Sequence, residues 1–284
     1  MKVLVAYDGS ECAECAVVDL RRAGLPKDAE ILVVSVAAAE VTPTAGSDLP
    51  GSAISQASKT DLYVGKALTE TVHKWMESNF PEWKSTSQLL VGSPATAILE
   101  KTASWRPDLI VIGSRGRSLA GSILLGSVSK KLTHESPCSV RVVRAASSPA
   151  ASAPHGPIRI LVGNDGSAGA KEVIRKVADR VWPEKTEVYI VSVLEEPDDQ
   201  QRSRLTQTAE EFVNILQRVG LKATSTIVEG DPKRVLVAEA DRLKVNAIFL
   251  GARGLGRLEE ILLGSVSNSV LNHAHCAVEI VRGR

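Results

Sequence analysis

Short apolar runs alternate with amphipathic stretches along most of the chain. The runs fall near 2–7, 29–36, 85–91, 108–112 and 138–143, and again near 158–163, 186–193, 223–229, 246–250 and 276–281. They are rich in Val, Leu and Ile with few polar interruptions, which predicts strands buried on both faces of a parallel sheet. Helical periodicity fills the gaps, near 11–23, 60–79, 94–105 and 126–135 in the first half. Pro94 and Pro232 stand where a proline suits the opening turn of a helix. Strand–helix alternation with short connections predicts an α/β fold with right-handed crossovers and helices on both faces of the sheet.

The pattern occurs twice because the chain is an internal duplication. Lys2-Val-Leu-Val-Ala-Tyr-Asp-Gly-Ser10 recurs as Arg159-Ile-Leu-Val-Gly-Asn-Asp-Gly-Ser167, and Glu30–Val36 recurs as Glu187–Val193. Gly92-Ser-Pro94 matches Gly230-Asp-Pro232, and Ser139-Val-Arg-Val-Val-Arg144 matches Ala277-Val-Glu-Ile-Val-Arg282. Two copies are too few for a solenoid, so the expectation is two domains of one fold, 1–145 and 158–284. Residues 146–157, small and proline-bearing, read as a linker. The copies differ most after the second strand. The first carries a long stretch, 37–58, rich in Ala, Ser, Thr and Gly, which reads as a lid or an unstructured insertion; the second has only 194–199 there.

Composition narrows the function classes. With 284 residues and a net charge of +1, no global field recruits nucleic acid or an anionic membrane. Aromatic residues, at 4%, are too few for a base-stacking platform. Four cysteines do not make a disulfide framework at this length. The apolar stretch at the N-terminus is too short for a signal peptide, and no run approaches the ~18–20 residues of a membrane span. A soluble, cytoplasmic protein is expected.

The chemistry concentrates after the fourth strand of each copy. Gly113 and Gly116 are followed, after nine intervening residues, by Gly126-Ser127-Val128-Ser129; Gly251 and Gly254 are followed in the same way by Gly264-Ser265-Val266-Ser267. Glycines let backbone N–H groups turn toward an anion, and a helix N-terminus adds unsatisfied donors and positive dipole. Both loops have the wiring of a phosphate cradle. Ligands of open α/β sheets bind beyond the carboxyl ends of the strands, where Asp8 and Asp165 close the first strand of each copy. A carboxylate at one end of a crevice and phosphate donors at the other suit a nucleoside phosphate.

These motifs, in this order and in both copies, resemble the universal stress protein family, here as a tandem pair. The resemblance covers nearly everything outside the linker and 37–58. It implies a Rossmann-like, doubly wound five-stranded parallel sheet of order 3-2-1-4-5 in each copy, related to the adenine nucleotide α-hydrolases, and ATP binding, with Mg²⁺ bridging the phosphates. It places Asp8 and Asp165 at the adenosine end and the backbones of Val36 and Val193 against adenine. Gly113, Arg115, Gly116, Gly126, Ser127, Val128 and Ser129 would hold ribose and phosphates, as would Gly251, Arg253, Gly254, Gly264, Ser265, Val266 and Ser267. It also implies pairing through the last strands, within one chain here, with a further homodimer as an extension.

Bland readings stand beside these. The glycines can be turns, the serines helix caps, and the aspartates caps of the following helix. Cys12 and Cys15 open a helix after a strand, as in redox sites, but Gly169 and Glu172 replace them in the second copy, so packing is the better reading. Cys138 and Cys276 read as core. The histidines form no metal-spaced set, and no Walker lysine or nucleophile elbow is present. The expectation is therefore a nucleotide-dependent binding protein with at most slow hydrolysis or self-phosphorylation; the alternatives are a scaffold without nucleotide and a true ATPase or nucleotide transferase.

Overall fold

The computed structural model describes residues 1–43, 53–116, 125–145, 157–252, 254 and 263–283, with only the backbone course given at 39–43 and 53–57. Its first half runs β1 (Lys2–Ala6), α1 (Glu11–Asp19), a 3₁₀ turn (Leu20–Arg22), β2 (Glu30–Pro43), β3 (Ala53–Ala57), α2 (Lys59–Asn79), β4 (Lys84–Gly92), α3 (Pro94–Trp105), β5 (Leu109–Gly113), α4 (Ser127–Glu135) and β6 (Ser139–Val143). The second half runs β7 (Arg159–Asn164), α5 (Ala168–Ala178), β8 (Glu187–Leu194), α6 (Asp199–Arg218), β9 (Lys222–Glu229), α7 (Pro232–Leu243), β10 (Ala247–Gly251), α8 (Ser265–His273) and β11 (Ala277–Val281). The elements follow the apolar periodicity closely. Pro94 and Pro232 are indeed the first residues of α3 and α7, where a missing N–H costs nothing.

In the first half β4, β2, β1, β5 and β6 lie side by side, all parallel; in the second β9, β8, β7, β10 and β11 do the same. Counting the parallel strands of each half in chain order, both sheets read 3-2-1-4-5. The stretch 37–58 departs from its reading as a lid or unstructured insertion. β2 runs on to Pro43 and β3 pairs antiparallel with its extension, Ala39 opposite Ala57 and Pro43 opposite Ala53. Residues 44–52 lie outside the described residues.

The last strands of the halves join the two sheets. β6 and β11 pair antiparallel, with Val142 opposite Val278, Arg141 opposite Glu279 and Val140 opposite Ile280. Alternate side chains then feed two apolar layers that run across both halves. One layer packs Val3, Val5 and Val162 under α1, α2, α5 and α6; the other packs Leu4, Ile110 and Leu161 under α3, α4, α7 and α8. Among the described residues no helix is long and apolar enough to cross a membrane. What matters for function is the sheet order, which makes β1 and β5 neighbours, and β7 and β10 likewise.

Candidate functional site

Each crevice begins at the turn that follows the first strand. Gly9 takes φ +77° and Gly166 φ +75°, a left-handed conformation that glycine adopts without strain. The turn is held by the aspartate: Ser10 N donates to Asp8 Oδ1 at 3.0 Å, and Ser167 N donates to Asp165 Oδ1 at 2.9 Å. The serines then cap the next helix, Ser10 Oγ accepting from Ala13 N and Ser167 Oγ from Ala170 N, each at 3.2 Å. So the helix caps are Ser10 and Ser167, not the aspartates. This leaves the second carboxylate oxygen facing across the crevice. A Cβ built on Gly116 would meet Asp8 Oδ2 at 2.7 Å, and one on Gly254 would meet Asp165 Oδ2 at 2.5 Å. Asp8 and Asp165 therefore stand against the second glycine of each motif, closer to the loop than a two-ended crevice implies.

The motif loops return to start α4 and α8. Gly126 and Gly264 are the N-caps, and neither helix has a side-chain cap. Gly126 N donates to Ser114 O at 2.8 Å and Gly264 N to Ala252 O at 2.9 Å, closing each loop onto the end of its strand. Ser129 and Ser267 are buried, and their hydroxyls donate to Gly113 O and Gly251 O at 2.8 Å, which fixes each helix on the strand. Ser127 and Ser265, at the first helical position, are exposed. Gly113 is required by packing, because a Cβ there would meet the backbone of Cys12 and Ala13 at 2.7 and 2.8 Å. Arg115 lines the first crevice, its carbonyl accepting from Ser10 Oγ at 3.2 Å. Arg253 lies outside the described residues.

The crevices are of unequal size, about 430 Å³ in the first half and about 860 Å³ in the second. Val36 and Val193 line them, as do Val128 and Val266 at the helix starts. Two walls were not foreseen from sequence. One comes from α2 (Asp61, Val64, Leu68) or its counterpart α6 (Gln201, Leu205); the other from Ile98 or Leu236. Amphipathic helices show a buried stripe in sequence, but not which rim of a sheet the stripe overhangs. Leu68 crowds Gly9, where a Cβ would meet its Cδ2 at 2.8 Å; at Gly166 the equivalent Leu205 contact is 3.9 Å. The strand ends also differ. Ser35 Oγ donates to Tyr7 O at 2.8 Å, whereas Asn164 uses its side chain, Nδ2 donating to Ser192 Oγ at 2.9 Å and Oδ1 accepting from Gly166 N at 3.0 Å. Burial, then the nearby Glu14 and Asp8 carboxylates, raise the Tyr7 hydroxyl above its ordinary range, so it stays a neutral donor.

Cys12 is buried beneath Gly113, with Ser114 Oγ 3.6 Å from its sulfur, and Cys15 is half-buried; all four cysteines are free thiols. Cys138 is buried in the core, and the half-buried Cys276 has its thiol pushed up to about 12, by desolvation first and the Asp241 carboxylate second. Among the described residues no cluster of three metal-ligating side chains occurs.

The family model described as the universal stress protein family matches residues 1–144 and 158–282. A universal stress protein of Mycobacterium tuberculosis is 30% identical over 209 residues, covering 69% of this chain and 68% of that protein. One from Thermus aquaticus is 35% identical over 143 residues, 50% of this chain and 97% of that protein. The crystal structure of a universal stress protein from Archaeoglobus fulgidus aligns over 99% of this chain and 96% of its own at a TM-score of 0.64 and 22% identity, a likeness of fold.

Proposed function

Because the chain belongs to the universal stress protein family, we propose that each half binds an adenine nucleotide, ATP accompanied by Mg²⁺, in the crevice beyond β1 and β5 or β7 and β10. One observation carries this reading: in both halves a glycine stands so close to an aspartate oxygen that a side chain there would have to displace the carboxylate, beside a helix that starts without a side-chain cap. Such a helix start leaves its first N–H groups for an anion, and the dipole favours one. The donor set fits phosphate. Ser127, Val128 and Ser129 would offer backbone N–H groups, with the Ser127 hydroxyl and Arg115 at the rim; Ser265, Val266 and Ser267 would do so in the second half, while Gly126 and Gly264 keep their own N–H groups on the strand ends. Asp8 and Asp165 would accept from ribose hydroxyls. Apolar walls at Val36 and Ile98, or Val193 and Leu236, give adenine a place out of water, and both volumes lie in the range of small-molecule sites.

Magnesium is usually held by phosphates, waters and one or two carboxylates, so it needs no protein cage. Among the described residues no histidine, the usual base near neutral pH, lines either crevice. The output would be a change in conformation or in partner affinity, since a ligand favours whichever state holds it better.

The test is the nucleotide content of protein purified without added ligand, released by denaturation and counted per chain. Two adenine nucleotides per chain are expected, falling to one in Gly116→Val and in Gly254→Val and to none in the double variant. No nucleotide, with no binding of ATP and Mg²⁺ on titration, overturns the proposal.

A further inference from the structure

Arg141 and Glu279 are wholly buried, and they face each other directly across the β6–β11 pairing. They are also the same residue of the duplication, third in Ser139-Val-Arg and third in Ala277-Val-Glu. The register is symmetric about them: Val140 meets Ile280, and its equivalent Val278 meets Val142. The local two-fold relating the halves therefore passes through this pair. At such an axis a half pairing with its own like sets a residue against itself, Arg141 against Arg141 or Glu279 against Glu279.

The surroundings extend the same charge order. Arg141 Nε donates to Asp19 Oδ2 at 2.6 Å and its Nη1 to Glu279 Oε2 at 3.3 Å. Arg180 forks onto Glu279, Nη1 donating to Oε2 at 2.9 Å and Nη2 to Oε1, and Nη1 also reaches Ala23 O of the first half at 3.0 Å. The charges alternate, Asp19, Arg141, Glu279, Arg180, and all four side chains are under a tenth exposed. Among the described residues Arg141 Nη2 and Arg180 Nε have no hydrogen-bond partner; both guanidinium groups lie over the Phe249 ring, at 5.7 and 5.3 Å from its centroid.

We infer that this interface carries a charge code that admits only the unlike half, so that first-with-first or second-with-second pairing is excluded. Like charges brought together out of water cost several kcal/mol, and each 1.4 kcal/mol is tenfold in an equilibrium. A purely apolar pair of edge strands would carry no such discrimination, since either half presents the same backbone donors and acceptors. The code does not depend on nucleotide.

The experiment uses full-length protein with a protease site placed within 146–156, cleaved after folding, then unfolded in urea, returned to buffer and weighed by native mass spectrometry. Unlike dimers are expected to exceed each like dimer by about a hundredfold or more. In the same protein carrying R141Q and E279Q, near-isosteric but uncharged at the axis, like dimers are expected to rise at least about tenfold. A statistical mixture from the wild-type halves, or unchanged selectivity in the glutamine variant, overturns the inference. A second measurement needs no cleavage and decides if the cut halves fail to recover. R141E leaves acid in both halves at the axis and E279R leaves base in both. Refolded together under different tags, they are expected to form a two-chain complex that neither forms alone. Absence of that complex from the mixture overturns the inference.

Discussion

At the scale of single residues, Asp8 and Asp165 show how the two oxygens of one carboxylate can face different ways. One oxygen holds the turn through Ser10 N or Ser167 N, and the other looks across at the motif glycine. A cap or a ligand group was the choice open from sequence; the geometry divides the two oxygens instead. Away from the crevices, Glu187 is the residue whose surroundings speak most clearly about pH. Hydrogen bonds from Lys222 Nζ at 2.7 Å and Tyr189 OH at 2.6 Å, against a smaller desolvation cost, hold its carboxyl at about 2 rather than the ordinary 4.5. The folded state thus binds fewer protons than the unfolded one between these values. Its contribution to stability is whole above pH 4.5 and is lost as pH falls toward 2. Urea midpoints measured down that range should show a smaller fall for Glu187→Gln than for wild type. Equal slopes would mean that the exposed Lys222 partner contributes nothing in solution.

At the scale of elements, the helices divide by how they begin. α1, α2, α5, α6 and α7 are capped by Ser10, Ser58, Ser167, Asp198 and Asp231, each accepting from a backbone N–H of its own first turn, while α3 follows Ser93 without a side-chain cap and opens on Pro94. α4 and α8 begin at bare glycines. If those open turns hold phosphate, a carboxylate placed there should compete with it. Gly126 has φ −66°, and a Cβ on it would make only ordinary contacts, 3.5 Å to Arg115 Cα and Ser114 O. Gly126→Asp is therefore expected to change stability by less than about 1 kcal/mol, since Gly and Asp differ little as N-caps. It should at the same time remove the nucleotide of the first half only, halving the content per chain. Full content with the aspartate in place would put the phosphates elsewhere. The hairpin of β2 and β3 belongs to this scale as well. Among the described residues it occurs only in the first half, where Ala37 and Ala38 of the extended β2 join the lining of the smaller crevice.

At the scale of the whole molecule, the two halves share one continuous sheet, two apolar layers and one buried charge cluster. Reciprocal arginines reinforce the junction: Arg144 Nη2 donates to Leu271 O at 2.6 Å, in the last turn of α8, and Arg282 Nη2 to Thr133 O at 2.7 Å, in the last turn of α4. Each half thus places a cation at the C-terminal end of the helix whose N-terminus opens on the other half's crevice, where it suits the dipole. In the buried cluster, removing Arg141 takes from Asp19 its hydrogen-bonded partner and leaves Glu279 with Arg180. Arg141→Met is expected to cost about 3–5 kcal/mol in urea unfolding, while the variant in which Asp19, Arg141, Arg180 and Glu279 are all apolar should stay near wild type. A small loss in Arg141→Met would show that water reaches the cluster.

The sequence by itself determined the elements, their order and the duplication, because apolar periodicity, prolines at helix starts and turn glycines are local properties that the fold did not override. It also marked the glycine spacing and the aspartate after the first strand in both copies, which the fold brings together in each crevice. It could not show that Ser129 and Ser267 are buried against the ends of β5 and β10, that α2 narrows one crevice, or that 37–58 contains a hairpin, because these depend on which surfaces meet. Least of all could it show that Arg141 opposes Glu279. They lie 138 positions apart in the chain, each reads as an interruption in an apolar strand, and only the antiparallel register of β6 on β11 turns two isolated buried charges into a pair.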